Sequence, residues 1–268
     1  MTLGETPKGG ISVASAADPV YAALADFYDT LKSGDSYDAW VGALLNPIRR
    51  FGTGGRRLLD VGCGTGLSSL AFHRRGFDVT GCDVASEMLE VARSKKGSDA
   101  VEFTVADMRR LPDELGLFDV VTWIDDVANH LLTPEDLRAA MQSSRKRLHP
   151  GGVLVFDTNS LGVFASLSAA VTVHERPDSY FTLLGTPAKP THDGAVQLRV
   201  VGFLRAGAAW ERRDVVVDER HYSGEVIEHL LREADLELVA MLGWAGRRFV
   251  SPANETEHPK IVYVARPI

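Results

Sequence analysis

The stretch Arg57-Leu58-Leu59-Asp60-Val61 is a short apolar run that breaks into Gly62, Gly64 and Gly66 at alternate positions before Leu67 opens an amphipathic segment. A run this short reads as a buried strand. Glycines at its carboxyl end let the chain turn sharply and let a ligand lie close to main-chain N–H groups at the start of a helix. A strand, a glycine turn and a helix in that order call for a parallel neighbour strand, which directs the chain toward a helix-covered α/β sheet. The spacing is G-x-G-x-G with Leu67 following, so the match to the dinucleotide fingerprint G-x-G-x-x-G is imperfect. No G-x-x-x-x-G-K-[ST] occurs, which argues against a P-loop nucleotide hydrolase.

The same rhythm continues along the chain. Helical patterning runs from Pro19 to about Arg50, with Tyr21, Leu24, Phe27, Tyr28 and Leu31 on one face. Strands are predicted at Arg57–Val61, Asp78–Asp83, Val101–Asp107, Phe118–Asp125 and Val153–Asn159. Helices are predicted at Leu67–Arg75, Ser86–Lys95 and Pro134–Leu148, the last with Thr133 as N-cap and Pro134 in its first turn. After Ser160 the pattern changes. Alternation in Ala195–Arg205 and Trp210–Glu219 about Gly207 predicts an antiparallel β insertion, followed by a helix at Ser223–Ala234. Leu236–Trp244 and Lys260–Pro267 read as a closing antiparallel pair. The expected organisation is a flexible tail over 1–18, a core formed by 19–160 and 222–268, and an inserted β-rich subdomain over 161–221.

Composition narrows the function classes. With 29 Lys plus Arg against 36 Asp plus Glu, the net charge of −7 disfavours a nucleic-acid partner. No apolar run is long enough to span a bilayer, and the polar N-terminus lacks a secretory pattern, so a cytoplasmic chain acting on small molecules is expected. Two cysteines, Cys63 and Cys82, are too few for a disulfide framework or a four-ligand zinc site, and no metal is expected. A monomer or homodimer is expected.

Carboxylates mark the strand ends. Asp83 closes the second strand about 20 residues after the glycines, where a carboxylate accepts both ribose hydroxyls. Asp107 closes the third strand and Asp125 the fourth, so these acids meet at the carboxyl edge where open α/β sheets bind ligands.

Taken in order, L-L-D-V-G-C-G-T-G, C-D-V-A-S-E-M-L, A-D-M, F-D-V-V-T and L-H-P-G-G-V-L-V-F-D resemble the motifs of class I S-adenosylmethionine-dependent methyltransferases. The resemblance covers about Arg56 to Asn159 and, more weakly, the closing segments. It implies a Rossmann-like, seven-stranded, mostly parallel doubly wound sheet with an antiparallel last strand. It also implies S-adenosylmethionine as cofactor, with S-adenosylhomocysteine as product. On that resemblance Asp60, Gly62, Cys63, Gly64 and Gly66 form the loop beside the methionine moiety, and Asp83 holds the ribose. Val84 and Met88 flank the adenine, Asp107 meets its exocyclic amine, Met108 covers the ring, and Asp125 lies near the sulfonium. A-D-F-Y-D-T-L and Y-D-A-W-V are similar to the opening helices of small-molecule members acting on amines and sugars, which makes Tyr28 and Trp40 candidates to close over the cofactor. E-R-H-Y-S-G-E-V-I-E-H-L-L resembles the group's Q-R-x-Y segment, with Glu219 in place of Gln, and carries Arg220 and Tyr222 over as acceptor contacts. The β insertion resembles the acceptor lid of these enzymes.

At the acceptor end, His130 follows the fourth strand and is the candidate general base, because an imidazole titrates near neutrality. Asp126 beside Asp125, and His174, His192 and His221 in or near the insertion, are further candidate acceptor contacts. Methyl transfer is an in-line displacement that needs alignment and exclusion of water more than proton chemistry. The resulting expectation is methylation of N or O on a small molecule, as in natural-product biosynthesis. Two other readings stay open: a non-methylating reaction such as a cyclisation on the same fold, and a nicotinamide oxidoreductase.

Overall fold

The computed structural model describes residues 18–32, 36–169, 171–185 and 190–268, so all of the predicted tail except Asp18 lies outside the described residues. In chain order the elements are α1 (Asp18–Leu31), α2 (Tyr37–Phe51), β1 (Arg57–Val61), α3 (Leu67–His73), β2 (Asp78–Asp83), α4 (Ser86–Ser94), β3 (Glu102–Val105) and β4 (Phe118–Trp123). There follow α5 (Pro134–Lys146), β5 (Leu148–Asn159), α6 (Leu161–Ala169), β6 (Val171–Arg176), β7 (Ser179–Gly185), β8 (Ala195–Ala206) and β9 (Ala209–Arg220). The chain closes with α7 (Gly224–Glu233), β10 (Leu236–Trp244), β11 (Phe249–Val250) and β12 (Lys260–Pro267).

The central sheet runs β11-β10-β12-β5-β4-β1-β2-β3 among the described residues. From β5 to β3 every pairing is parallel, and β12 is antiparallel to both β5 and β10. The predicted sheet therefore gains one strand, the two-residue edge β11, which is too short to leave a pattern. Buried side chains such as Leu58, Leu59, Val120, Val121, Val155 and Phe156 explain why the central strands read as continuous apolar runs: helices cover both faces. In α5 the Thr133 hydroxyl accepts from Asp136 N at 3.1 Å. Glu135 and Asp136 open that helix, and Arg145 and Lys146 end it, matching the helix dipole. Leu137, Ala140 and Met141 are its buried face.

A separate antiparallel sheet runs β6-β7-β8-β9. β8 alternates in burial, with Val196, Leu198 and Val200 inward, which is why its pattern was legible. The β6–β7 hairpin has no strand prediction of its own because β6 is a short edge whose alternating Val171 and Val173 are exposed before the polar run His174-Glu175-Arg176. The sheet's inner face packs on α1 through a cluster holding Leu24, Phe27, Phe164, Phe181, Val215 and Val217, with the Phe27 and Phe181 rings stacked 5.9 Å apart. Truncating the buried Phe27 to Ala would cost about 3–5 kcal/mol. This packing makes α1 and β9 a roof over the carboxyl edge of the central sheet. No helix among the described residues is long and apolar enough to cross a membrane.

Candidate functional site

The glycine turn between β1 and α3 has two tasks, and different glycines perform them. Gly62 has φ +68°, and a Cβ there would stand 2.6 Å from Val127, so this position serves close packing. Gly64 has φ +53° and no heavy atom within 4 Å of a Cβ site, so here the missing side chain leaves open space on the cleft wall. Its N–H donates to Asp83 Oδ2 at 2.8 Å, and Ala85 N donates to Oδ1 at 2.9 Å. Burial pushes the Asp83 carboxyl up, and these backbone donors oppose the push.

From this turn a cleft with about 1220 Å³ of empty space, its mouth included, runs along the carboxyl edge of the sheet. Gly62, Gly64, Asp83, Val84 and Met88 line one end. Asp107 and Met108 line the side, Tyr28 the roof, and Asp125 and His130 the far part. Asp107 also accepts from Arg109 N at 2.9 Å and pairs with that guanidinium at 2.6 Å. Burial raises the Asp107 carboxyl, but the Arg109 bonds outweigh it and hold the group below the ordinary range. Arg109 reaches Asp136 on α5 as well, at 3.2 Å.

Beyond β4 the chain makes two consecutive left-handed residues, Asp125 at φ +71° and Asp126 at φ +59°. Asp157 on β5, fully buried, stabilises the pair by accepting from Asp125 N at 2.8 Å and Asp126 N at 3.1 Å. Lys260, the first residue of β12, places its ammonium against Asp126, 3.1 Å from Asp157 and 3.5 Å from Asp125. Asp125 also takes Lys32 Nζ at 2.6 Å, the Tyr37 hydroxyl at 2.7 Å and the Tyr28 hydroxyl at 3.5 Å. Burial pushes the Asp125 carboxyl up, yet Lys32 and Lys260 hold it well below the carboxylate range. Asp126 goes the other way: burial, with Asp125 and Glu219 nearby, outweighs Lys260 and raises it.

At the acceptor end the Tyr21 hydroxyl lies 2.7 Å from His130 Nε2, the rings meeting edge to face at 5.2 Å between centroids. Asp126 Oδ2 stands 3.9 Å from the same nitrogen. Oxygens of Asp126 and Glu219 and a ring nitrogen of His130 all fall within 4.8 Å of one another. Burial lowers the His130 pKa, against the pull of Glu219 and Asp125, which favours a neutral imidazole.

Several predicted site residues lie away from the cleft lining. Asp60 is enclosed and accepts from Ser68, Ser69 and Thr122 hydroxyls at 2.6–3.0 Å, which ties β1 to α3 and β4. Cys63 is buried among core side chains, and a Cβ on Gly66 would meet Phe103. Trp40 packs edge to face on Trp244 and Phe249 at 5.0 and 5.7 Å, so it anchors α2 on the sheet rather than closing the cleft. Of the predicted acceptor contacts, Asp126 turns to Lys260. Arg220 donates to Leu132 O at 3.1 Å, Tyr222 is core and donates to Leu131 O, and together they pin the loop before α5. His174 is exposed on edge strand β6. His221 accepts from Asp193 N at 3.2 Å through Nδ1 and contacts Glu255 at 3.0 Å through Nε2, with exposed His192 alongside. A proton on Nε2 satisfies both bonds, so that trio reads as a structural tie between β9 and the loop before β12.

Sequence reasoning missed Tyr21, Lys32, Tyr37, Arg109, Asp157 and Lys260 as participants. Tyr21, Tyr28 and Lys32 share a helical face at i, i+7 and i+11, a signal that was available. Lys260 and Asp157 meet only because β12 pairs with β5, which no local pattern reveals.

Residues 58–152 match the methyltransferase domain family. YqeM of Bacillus subtilis (strain 168), which carries a methyltransferase name, is 30% identical over 224 residues, covering 82% of this chain and 87% of that protein. The chain belongs to the class I S-adenosylmethionine-dependent methyltransferases. The fold of this methyltransferase is shared with an S-adenosylmethionine-dependent methyltransferase from Clostridium acetobutylicum ATCC 824, at TM-score 0.78 and 23% identity, covering 92% of this chain and 98% of that one. CalS10 from Micromonospora echinaspora, an amino pentose methyltransferase solved with S-adenosylmethionine bound, superposes at TM-score 0.67 and 22% identity, covering 90% and 95%. S-adenosylmethionine is the cofactor of this family, and the cleft fits it: open space beside Gly64, Asp83 at the end of β2 and an anionic far end suit a cationic sulfonium nucleoside.

Proposed function

We propose that this methyltransferase transfers a methyl group to a nitrogen or oxygen of a small molecule in specialised metabolism, acting in the cytoplasm. The observation that carries the reading is one continuous cleft joining the Gly64–Asp83 end to the Tyr21–His130 end under α1 and β9. When bound, S-adenosylmethionine supplies a methyl carbon activated by positively charged sulfur. Asp83 holds the ribose hydroxyls, Val84 and Met88 flank the adenine, and Met108 and Asp107 border its edge. Asp125 presents negative charge to the sulfonium. The acceptor's lone pair forms the bond to the methyl carbon, the carbon–sulfur bond breaks with its electrons going to sulfur, and the acceptor's proton goes to His130 Nε2. The roof excludes water and aligns the acceptor in line.

Nitrogen is favoured over oxygen by charge. Asp125, held ionised by Lys32 and Lys260, gives this end of the cleft a negative charge that attracts an amine arriving as its ammonium ion, which releases one proton to solvent before its lone pair attacks. The name of CalS10 as an amino pentose methyltransferase supports the same reading.

Calorimetric titration with S-adenosylmethionine, S-adenosylhomocysteine and NADH tests the cofactor half. Binding of both sulfur ligands but not NADH, weakened at least about tenfold by Asp83→Ala, is expected. S-adenosylhomocysteine release with an amine library tests the transfer. Turnover of an amine without its release would replace methylation by another reaction on this fold.

A further inference from the structure

We propose that Arg109 is a positioning residue for Asp107, fixing that carboxylate on the cleft wall as a group that only accepts hydrogen bonds. In this way Arg109 makes the site select a 6-amino purine over its 6-oxo counterpart. The inference rests on the reading of Asp107 as the contact of the adenine amine. Asp107 and Arg109 both line the cleft, with Val84, Met88 and Met108 nearby on its wall. Asp107 caps the short turn that follows β3, and its Oδ1 accepts from Arg109 N at 2.9 Å and from Arg109 Nε at 3.0 Å. Its Oδ2 accepts from Arg109 Nη2 at 2.6 Å, with Nε shared to it at 3.1 Å.

An ionised carboxylate offers about four acceptor sites. The main-chain N–H, Nε and Nη2 of one residue occupy three of them, which leaves a place for a single further donor. The amine of adenine brings that donor. A 6-oxo purine presents an oxygen at the same point and meets the remaining lone pair with repulsion. A protonated Asp107 would donate to that oxygen and erase the distinction. Burial raises the Asp107 carboxyl, and the Arg109 bonds outweigh it, so the ionised form is the one on the wall.

Arg109 is itself gripped from its far side. Nη1 donates to Asp136 Oδ1 at 3.2 Å, and Asp136 sits in the first turn of α5, where Thr133 accepts its N–H at 3.1 Å. Leu111, just after the turn, donates its N–H to Ser143 Oγ of α5 at 2.7 Å. Helix α5 is therefore the fixed post, and the guanidinium spans from it to the cleft wall. A planar guanidinium does this with several N–H groups in one fork, whereas a lysine ammonium supplies charge without the fork.

The test is calorimetry on the full chain with S-adenosylhomocysteine and S-inosylhomocysteine, the analogue carrying a carbonyl oxygen in place of the amine. The unaltered protein is expected to prefer the adenine form by about ten- to a hundredfold, the range of one hydrogen bond to a charged group. Arg109→Gln is expected to cut that ratio to about threefold or less, and Arg109→Lys to leave an intermediate ratio. A packing role alone weakens both ligands together and leaves the ratio unchanged. Asp107→Asn, whose amide pairs with either purine, is expected to abolish the preference, and adding Arg109→Gln to it is expected to change the ratio no further. If Arg109→Gln does not fold, the ratio in Arg109→Lys decides. A preference that the Arg109 variants retain, or a further fall when Arg109→Gln is added to Asp107→Asn, overturns the claim for Arg109 alone. An unaltered protein that binds both nucleosides equally overturns the adenine-amine reading of Asp107 and this proposal with it. Failure to bind S-adenosylhomocysteine at all overturns the cofactor assignment as well.

Discussion

Asp157 holds Asp125 from beneath: its Oδ1 accepts the Asp125 N–H at 2.8 Å, while its Oδ2 accepts that of Asp126 at 3.1 Å and meets Lys260 at the same distance. Two adjacent non-glycine residues at positive φ are strained by about 1 kcal/mol or more each, and this carboxylate offsets the strain. Asp157→Asn sets an amide NH₂ against one of those donors or against Lys260. The expected loss is about 2–4 kcal/mol of stability, read by chemical denaturation. Affinity for S-adenosylhomocysteine should fall too, because Asp125 loses its support.

Tyr37→Phe removes a hydrogen bond to a buried carboxylate while keeping the ring. A loss of about 1.5–3 kcal/mol is expected, divided between folding stability and cofactor affinity. Thermal melts with and without S-adenosylhomocysteine apportion it. Equal destabilisation in both conditions would show that Tyr37 serves folding alone.

Gly64→Ala and Gly62→Ala are predicted to fail differently. Position 64 has room for a methyl group, so the folded state loses only about 1 kcal/mol from the left-handed backbone, while the methyl occupies cleft space and binding drops tenfold or more. At position 62 the methyl meets Val127, and stability falls further than in Gly64→Ala. Calorimetry and melting curves on the pair check the contrast.

His130 should contribute stability that rises with pH through the interval just below pH 6.5, the ordinary histidine value, while the raised carboxyls of Asp83 and Asp126 contribute the opposite slope above the carboxylate range. The His130 pKa is lowered in the folded chain, mainly by burial. Between its folded and unfolded values the unfolded chain binds the extra proton, so acid favours unfolding there. His130→Gln should flatten that slope in denaturation curves collected across the window. Asp125, held low by Lys32 and Lys260 against burial, adds a separate loss only as the pH falls below the ordinary carboxylate range.

The parts of this molecule that recur in short stretches were readable from the chain. The glycine turn, Asp83 and the strands β1, β2 and β4 each leave a local signature, because a buried strand is apolar along its length and a sharp turn requires glycine. Thr133 capping α5 was legible for the same reason. Residues whose roles depend on distant partners were not. Lys260 is separated from Asp126 by 134 positions, and Tyr21 from His130 by 109. Trp40 misled because an aromatic on an amphipathic helix looks the same whether it meets a cofactor or, as here, Trp244 and Phe249. Arg220 and Tyr222 sit near the acceptor end yet spend their polar atoms on the Leu132 and Leu131 carbonyls.

The single helix α1 reaches His130 through Tyr21, Asp125 through Tyr28 and the glycine turn through Asp29. One fourteen-residue helix therefore borders both ends of the cleft, so a substitution that shifts α1 disturbs the nucleoside end and the acceptor end together.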